Sequence, residues 1–227
     1  MPIFLDSSRL EDIEHFMNMG ILRGVTTNPT ILLRESNIND LADVKKRCTE
    51  IAELVDPFPV SVEVTRDGKA ATIEQAKEFY QWAQNIVIKV TIHGPEGELE
   101  NVEAIHELES KHDIRVNVTA MMSAQQCFLA ALAGASYVSI FGGRINNMGY
   151  NSCVEIQKLR TLLDDFGLKA KIIVGSSREV LNIVEWLEVG AHIVTATPSL
   201  IKGMLVHPYS KETVKMFLDD GAKLDLK

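Results

Sequence analysis

The sequence predicts an α/β protein, a single (β/α)8 TIM barrel with an additional C-terminal helix. Three observations predict this fold: short β-branched runs recur along the whole chain, segments with helical periodicity separate them, and each strand–helix unit takes about 28 residues, the repeat of such a barrel. The chain has 227 residues, and barrels commonly form one domain of about 200–250 residues. We therefore expect residues 1–227 to form one domain.

The predicted strands are short, and several are apolar on both faces, which is typical of strands buried in a parallel sheet. They are expected at residues 3–6, 24–27, 59–64, 86–90, 114–118, 137–141, 171–175 and 192–196. Parallel strands need crossover connections, and the intervening segments have the periodicity of helices. These helices are expected at residues 8–19, 38–54, 69–84, 99–111, 123–133, 154–166 and 178–187, with a final pair at 200–205 and 211–219.

An open doubly wound sheet is the alternative fold. That fold usually carries a glycine-rich phosphate loop after its first strand. Residues 5–12 read LDSSRLED instead, so the barrel is favoured.

Composition excludes several classes of function. The net charge is −8, and a chain of this charge without a basic patch binds nucleic acid poorly. No apolar run reaches the roughly 18 residues of a membrane helix, and the N-terminal residues lack the pattern of a signal peptide, so we expect a cytoplasmic protein. The three cysteines and six histidines show no metal-ligand spacing, and we expect neither a metal nor a cofactor.

Polar residues end almost every predicted strand, which is more than solubility requires. In a barrel, function lies where the strands end and the βα loops begin. The residues selected in this way are Asp6, Thr26, Thr27, Asn28, Glu63, Lys89, Asn117, Thr119, Ser176 and Arg178.

Lys89 is the most informative of these residues because it lies in the otherwise apolar run NIVIKV. A dry environment disfavours the ammonium form, and a neutral amine can attack a carbonyl to form an iminium. Asp6 and Glu63 end the first and third predicted strands and are candidates for proton transfer. The alternatives are a lysine that reaches solvent or pairs with a carboxylate, a helix-terminal anion at Asp6, and a structural ion pair at Glu63.

Two loops have the character of ligand sites. Asn28 precedes Pro29, which holds it extended, and its amide is suited to sugar hydroxyls; an ordinary Asn-Pro turn is the alternative. After the seventh strand, residues 174–178 read VGSSR, and a helix N-terminus with Arg178 suits a phosphate. Arg144 after the sixth strand is a candidate for a second charge. A serine-capped helix and a surface salt bridge remain the alternatives there.

The same residues carry a family resemblance. Along nearly its whole length the sequence resembles the small transaldolases and the related fructose-6-phosphate aldolases. The matching stretches are FLDSS, GVTTNPTIL, SVEV, IVIKV, VNVTAMMSAQQ, YVSIFGGRI, VGSSRE and HPYSKETVKMF. The resemblance implies a catalytic barrel that moves or cleaves a carbon unit of a sugar phosphate through a Schiff base.

The resemblance also implies roles for single residues. Lys89 matches the imine-forming lysine, Asp6 the carboxylate that assists proton transfer, and Thr119 the hydroxyl that orients a catalytic water. The implied substrate-binding residues are Asn28 with its neighbour Thr27, Asn117, Phe141, Arg144, Ser176 and Arg178.

Glu63 and Phe141 favour a transaldolase, since the aldolases resemble each other in carrying glutamine and tyrosine there. We therefore expect transfer of a dihydroxyacetone unit from fructose 6-phosphate or sedoheptulose 7-phosphate to an aldose phosphate, as in the pentose phosphate pathway. The alternatives are an aldolase that releases free dihydroxyacetone and a non-catalytic sugar-phosphate-binding barrel. Residues that depart from the family pattern are Thr91, Asn146, Asn147 and Ser177. The resemblance further implies a homo-oligomer, a pentamer or a decamer.

Overall fold

The computed structural model describes residues 2–35 and 37–225 and shows a closed barrel of eight parallel strands in sequence order. The predicted fold class is confirmed. The strands are β1 (Ile3–Asp6), β2 (Val25–Thr26), β3 (Val60–Glu63), β4 (Ile86–Thr91), β5 (Val116–Met121), β6 (Tyr137–Ile140), β7 (Lys171–Val174) and β8 (Ile193–Ala196). Pairing of β1 with β8 closes the barrel.

Helices surround the barrel and include two that the periodicity did not predict. The helices are α1 (Leu10–Asn18), α2 (Pro29–Glu35), α3 (Leu41–Val55), α4 (Lys69–Tyr80), α5 (Glu100–His112), α6 (Ala124–Leu132), α7 (Gly142–Asn147), α8 (Ser152–Asp165), α9 (Val180–Glu188), α10 (Pro198–Leu205) and α11 (Pro208–Asp225). The short helices α2 and α7 occupy segments that were expected to be loops. Both follow a strand directly, so they place their residues at the C-terminal mouth of the barrel.

The inside of the barrel has two layers of opposite character. Side chains alternate along a strand, so residues in register on neighbouring parallel strands face the same way. The lower layer, which we call the apolar floor, packs together five buried side chains: Phe4, Val87, Tyr137, Ile173 and Ile193. The layer above it is polar. It contains Asp6 in register with Thr26, and Glu63 in register with Lys89.

The apolar floor requires a glycine at position 24. A Cβ atom on Gly24 would approach the ring of Phe4 to 2.6 Å, which is closer than real side chains come. Glycine at this position therefore lets Phe4 fill the barrel beside β2. The main core lies outside the strands, between the sheet and the helices, and includes the fully buried Trp186, Phe79 and Leu5.

The C-terminal helix α11 does not pack on its own barrel. From Pro208 to Leu224 every residue except Gly221 is exposed. The apolar side chains on it are exposed as well: Tyr209, Val214, Met216, Phe217, Leu218 and Leu224. Within the described ranges, no helix has the length and apolar character to cross a membrane.

Candidate active site

A cavity of about 550 Å³ opens at the C-terminal ends of the strands. This is the end of a (β/α)8 barrel at which active sites form. Of the residues predicted for the site, the cavity is lined by Asp6, Asn28, Glu63, Lys89, Thr119, Phe141, Arg144, Ser176 and Arg178. Thr27 and Asn117 lie behind this lining. The structure therefore brings together residues from seven of the eight βα junctions, although they are spread over most of the sequence.

Lys89 lies at the bottom of the cavity and is 6% exposed. Its Nζ atom is 3.0 Å from Oε2 of Glu63 and donates a hydrogen bond of 2.9 Å to the backbone carbonyl of Thr27. The lysine does not reach bulk solvent, which removes one of the alternatives for this residue. The ion pair with Glu63 is present, and it faces the cavity.

Asp6 lines the same cavity as Lys89. The hydroxyl of Thr26 donates to its Oδ1 atom at 2.7 Å, and a second hydroxyl, that of Thr195, lies 2.6 Å from Thr26 Oγ1. Burial raises the pKa of Asp6, and the positive charge of Lys89 and the hydrogen bond from Thr26 offset part of this rise. The side chain is partly exposed, but it lines the cavity, so this exposure is to the interior of the site. A carboxylate in this position is a candidate base.

Thr119 has an unusual hydroxyl. The residue is 1% exposed, lines the cavity, and its Oγ1 atom has no hydrogen-bond partner among the described residues. Buried hydroxyl groups are nearly always hydrogen-bonded. The next residue, Ala120, has a φ of 62°, and the register between β5 and β6 shifts in this region. The irregular strand end thus contains a buried, unpaired hydroxyl in a residue that lines the cavity.

Asn28 caps α2. Its Oδ1 atom accepts a hydrogen bond of 2.9 Å from the backbone of Ile31, which is the action of a helix N-cap. The side-chain nitrogen has no partner in the described ranges and remains available at the cavity. Thr27 points the other way: its hydroxyl donates to the carbonyl of Ser61 at 2.8 Å, and only its backbone carbonyl serves the site, through Lys89.

Asn117 is fully buried beneath the cavity, beside Lys89 in the register of β4 and β5. Its Nδ2 atom donates to Ser61 Oγ at 3.1 Å, and its Oδ1 atom accepts from Ser139 Oγ at 2.7 Å. These bonds fix the orientation of the amide. Ser139 itself lines the cavity, so it extends this network towards a ligand.

Two arginines form a positive rim on the other side of the mouth. The guanidinium group of Arg144 lies over the ring of Phe141, 5.2 Å from its centroid. In the described part of the chain, neither Arg144 nor Arg178 forms an ion pair with a carboxylate. Ser176 between them has a φ of 60°, and a Cβ atom on Gly143 would collide with its carbonyl oxygen. The close packing of these two loops holds both unneutralised guanidinium groups at one rim, which is the chemistry of a phosphate site.

The cavity also contains residues that the sequence did not single out. Arg34 lines it from α2, but it is paired with Glu35 at 2.8 Å. Ser139 and Thr195 lie in the middle of strands, so a search of strand ends passes over them. Each is a small hydroxyl residue inside a short strand, and no signal in the sequence distinguishes it from an ordinary strand residue. Within the residues described, no cluster of His, Cys, Asp and Glu has the arrangement of a metal site.

The family model and the similar proteins agree on one family. The family model described as Transaldolase/Fructose-6-phosphate aldolase matches residues 3–226. A "Probable transaldolase" of Clostridium tetani is 38% identical over 220 residues, which cover 97% of each chain. A "Probable transaldolase 2" of Listeria monocytogenes is 37% identical and covers 97% of this chain and 95% of the relative.

The fold is also found in solved structures of distant sequence. A chain described as a lactate oxidase of Pediococcus acidilactici superposes with a TM-score of 0.59 at 14% identity, over 88% of this chain. This chain spans 64% of the length of that oxidase. At this identity the likeness concerns the barrel alone.

Proposed function

The chain belongs to the transaldolase and fructose-6-phosphate aldolase family, and from this premise we propose that it is a transaldolase. The proposed reaction moves a dihydroxyacetone unit from a ketose phosphate, such as fructose 6-phosphate or sedoheptulose 7-phosphate, to an aldose phosphate of the pentose phosphate pathway. The observation that carries the proposal is the position of Lys89. Its amine is buried, faces the cavity and lies 3.0 Å from the carboxylate of Glu63.

The ion pair supplies a route to the reactive amine. When the ketose enters, a proton passes from the Lys89 ammonium to Glu63, and the neutral Nζ atom attacks the ketone carbon. A second proton from Nζ and the proton held by Glu63 then leave with the ketone oxygen as water. The product is an iminium, so the charge that began on Lys89 stays at its nitrogen. We propose that the unpartnered hydroxyl of Thr119 holds the water molecule involved in these steps.

Asp6 acts on the substrate after the iminium has formed. Its carboxylate takes the proton from the hydroxyl of the fourth carbon while the bond between the third and fourth carbons breaks. The electrons of that bond move into the iminium, which becomes an enamine, and the shortened aldose phosphate leaves. Transfer is the reverse of this step with a new aldehyde, to which Asp6 returns the proton. The raised pKa of Asp6 suits a group that must both take and give a proton.

The remaining lining binds the two ends of the sugar. Asn28 is suited to the hydroxyl groups of the dihydroxyacetone unit, because its amide is held in a fixed orientation at the cavity. Asn117 lies beneath the lining, and we propose that it acts on this unit through Ser139, whose hydroxyl it binds. Arg144, Arg178 and Ser176 are suited to the phosphate, because the two guanidinium groups have no carboxylate partner in the part of the chain that the structure describes. We propose that the phosphate binds at this rim and the ketone at Lys89.

Borohydride trapping tests the proposal. The protein is incubated with fructose 6-phosphate and sodium borohydride, and the adduct is located by peptide mass analysis. A reduced dihydroxyacetone adduct is expected on the peptide that contains Lys89, and K89M should lose both the adduct and turnover. Lys171, at the opposite end of β7, provides the matched control K171M, which should keep both. Full turnover by K89M would contradict the mechanism.

The first alternative is an aldolase that releases free dihydroxyacetone. Measuring dihydroxyacetone formation with and without an aldose phosphate acceptor separates the two activities. We expect release without acceptor to be slow compared with transfer. F141Y is expected to raise the share of release, because a phenol above the enamine can supply the proton that frees the product. Release at the rate of transfer in the unchanged protein would favour the aldolase.

The second alternative is a silent sugar-phosphate-binding barrel. A protein that only binds has no need of a buried amine next to an ion-pair partner and a base. Titration with fructose 6-phosphate in the presence of erythrose 4-phosphate distinguishes them: we expect turnover, whereas saturable binding without turnover would identify the silent barrel.

The proposal includes the assembly and compartment expected from the sequence. Helix α11 exposes a row of apolar side chains that its own barrel does not cover, which supports a homo-oligomer of the pentameric or decameric kind. Cys48, Cys127 and Cys153 are all free thiols, which fits a reducing compartment such as the cytoplasm.

A further inference from the structure

From the contacts around Asp6 we infer that Thr195 is a positioning residue: with Thr26 it forms a two-hydroxyl relay that reverses direction whenever Asp6 takes or gives a proton. The inference rests on the proposed function, because it concerns how the base of that reaction works. It assigns a role to a residue on the last strand that the family resemblance did not bring out.

The relay is defined by two short contacts. Thr26 Oγ1 is 2.7 Å from Asp6 Oδ1 on one side and 2.6 Å from Thr195 Oγ1 on the other. A threonine hydroxyl carries one proton, so Thr26 can donate to only one of these two oxygens and must accept from the other. The protonation state of Asp6 therefore decides the direction of both bonds.

Both contacts of the relay can persist in either protonation state of Asp6. When Asp6 is a carboxylate, Thr195 donates to Thr26, and Thr26 donates to Asp6. When Asp6 is protonated on Oδ1, it donates to Thr26, which then donates to Thr195. The proton of Thr195 turns towards the cavity, which this residue lines. In both states each of the three groups keeps at least one hydrogen bond, and a group left without any would make one state costly.

Strand order explains why the partner comes from β8. Thr26 lies beside Asp6 in the register of β1 and β2, whereas Thr195 lies beside Phe4 in the register of β1 and β8. The two threonines therefore reach each other across the inside of β1, just above the apolar floor. Thr26 is 3% and Thr195 6% exposed. In the ranges that the structure describes, the only hydroxyl contacts of either threonine are those of this relay.

The charged groups around Asp6 do not replace the relay. The positive charges of Lys89 and Arg34 favour its carboxylate form, and the negative charge of Glu35 opposes it. These charges contribute to the pKa of the Asp6 carboxyl group. The relay acts differently, because a donor that itself accepts a hydrogen bond is polarised and binds an anion more strongly. Loss of Thr195 should therefore weaken the carboxylate form more than the acid form, since bonds to charged groups are the stronger ones.

The test compares T195V, which removes the hydroxyl and keeps the shape, with T195S, which keeps the hydroxyl. The acid limb of the pH profile of kcat/KM for transfer is expected to move to higher pH in T195V, by about 0.5–1 unit. T195S should follow the unchanged protein. Thr72 provides a matched control because it is buried on α4, away from the cavity, and donates one hydrogen bond to the carbonyl of Arg66. T72V should leave the profile unchanged.

A second measurement follows Asp6 without turnover. Infrared difference spectra recorded as a function of pH report the carboxyl band of Asp6, which D6N identifies by its loss. The titration of this band should move in T195V in the same direction as the acid limb. An unmoved band in T195V, or an equal shift in T195S, would overturn the relay. If the unchanged protein transfers no carbon unit, the proposed function fails, and the infrared titration still decides whether the relay exists.

Discussion

At the scale of single residues, Asp6 shows how the site is maintained at the expense of stability. Burial raises the pKa of its carboxyl group, so the folded protein holds the proton more tightly than the unfolded chain, where an aspartate titrates near about 3.9. The stabilisation that this proton gives is fully present below the unfolded pKa and is lost as the pH rises through the folded pKa. Above the folded pKa, the ionised carboxylate therefore lowers the stability of the fold.

Replacing Asp6 by asparagine removes this destabilising charge together with the base. D6N should melt at a higher temperature than the unchanged protein at pH 8, and the difference should shrink towards pH 4. Transfer should fall by about 100-fold or more, because a positioned base contributes that much. Thermal melts over this pH range and steady-state rates check both parts.

Asp43 provides the opposite sign as a control. It is only partly exposed, and hydrogen bonds from the backbone and side chain of Asn39 lower its pKa. D43N should therefore lose stability at pH 8 relative to the unchanged protein. If D6N and D43N change the melting temperature in the same direction, burial is not what sets the behaviour of Asp6.

How far the sequence predicts the site also differs from residue to residue. Lys89 could be found from the sequence because a lysine inside an apolar strand has few explanations. Thr195 could not be found, since a threonine is ordinary in a strand and its contact with Thr26 depends on closure of the barrel. Thr27 was predicted to bind substrate, but the alternation of side chains turns its hydroxyl away from the cavity and leaves only its carbonyl at Lys89.

At the scale of elements, the eight strands and the long helices could be predicted, whereas α2 and α7 could not. Helix α2 begins at Pro29, where proline is favourable because the first turn needs no backbone N–H donor; Asn28 was interpreted as extended and the helix after it was missed. Helix α7 begins with Gly142 and Gly143, which disfavour helices. Packing between loops sets the conformation of this segment, and local helix propensity does not indicate it.

Gly143 in α7 allows the two loops at the rim of the cavity to pack closely, and this can be tested. A Cβ atom on Gly143 would meet the backbone carbonyl of Ser176, and backbone cannot move aside as a flexible side chain does. G143A should therefore separate the loops that carry Arg144 and Arg178, raise the KM for fructose 6-phosphate by about 10-fold and destabilise the fold by about 1–3 kcal/mol.

Gly221 on α11 is the matched control for this substitution. Nothing lies within 4 Å of the position that its Cβ atom would take, and alanine is the better helix former. G221A should be neutral or slightly stabilising and should keep its KM. An unchanged KM in G143A would show that the contact with Ser176 does not hold the rim together.

At the scale of the whole molecule, α11 is the helix whose apolar side chains its own barrel leaves uncovered. Phe217 is 64% and Leu218 69% exposed, and exposed apolar patches of this kind are typical of contact surfaces. The sequence left open whether this helix packs on its own barrel, and in the structure it does not.

The double variant F217E/L218E tests the proposed assembly. Light scattering after size exclusion should give a homo-oligomer for the unchanged protein and a smaller species for the variant, because two buried carboxylates would be costly in an apolar contact. K215E changes the charge of the same exposed helix and should keep the original mass. A monomeric mass for the unchanged protein would contradict the proposal.

The apolar floor closes the barrel beneath Lys89, and this has a kinetic consequence. In the described part of the chain, this leaves the mouth of the cavity as the route by which substrates reach the lysine and products leave it. The first aldehyde has to leave the cavity before the acceptor aldehyde can enter, while the carbon fragment stays bound to Lys89 as the enamine. Initial velocities measured at several fixed acceptor concentrations should then give parallel double-reciprocal lines, and the departing aldehyde should compete with the acceptor for entry.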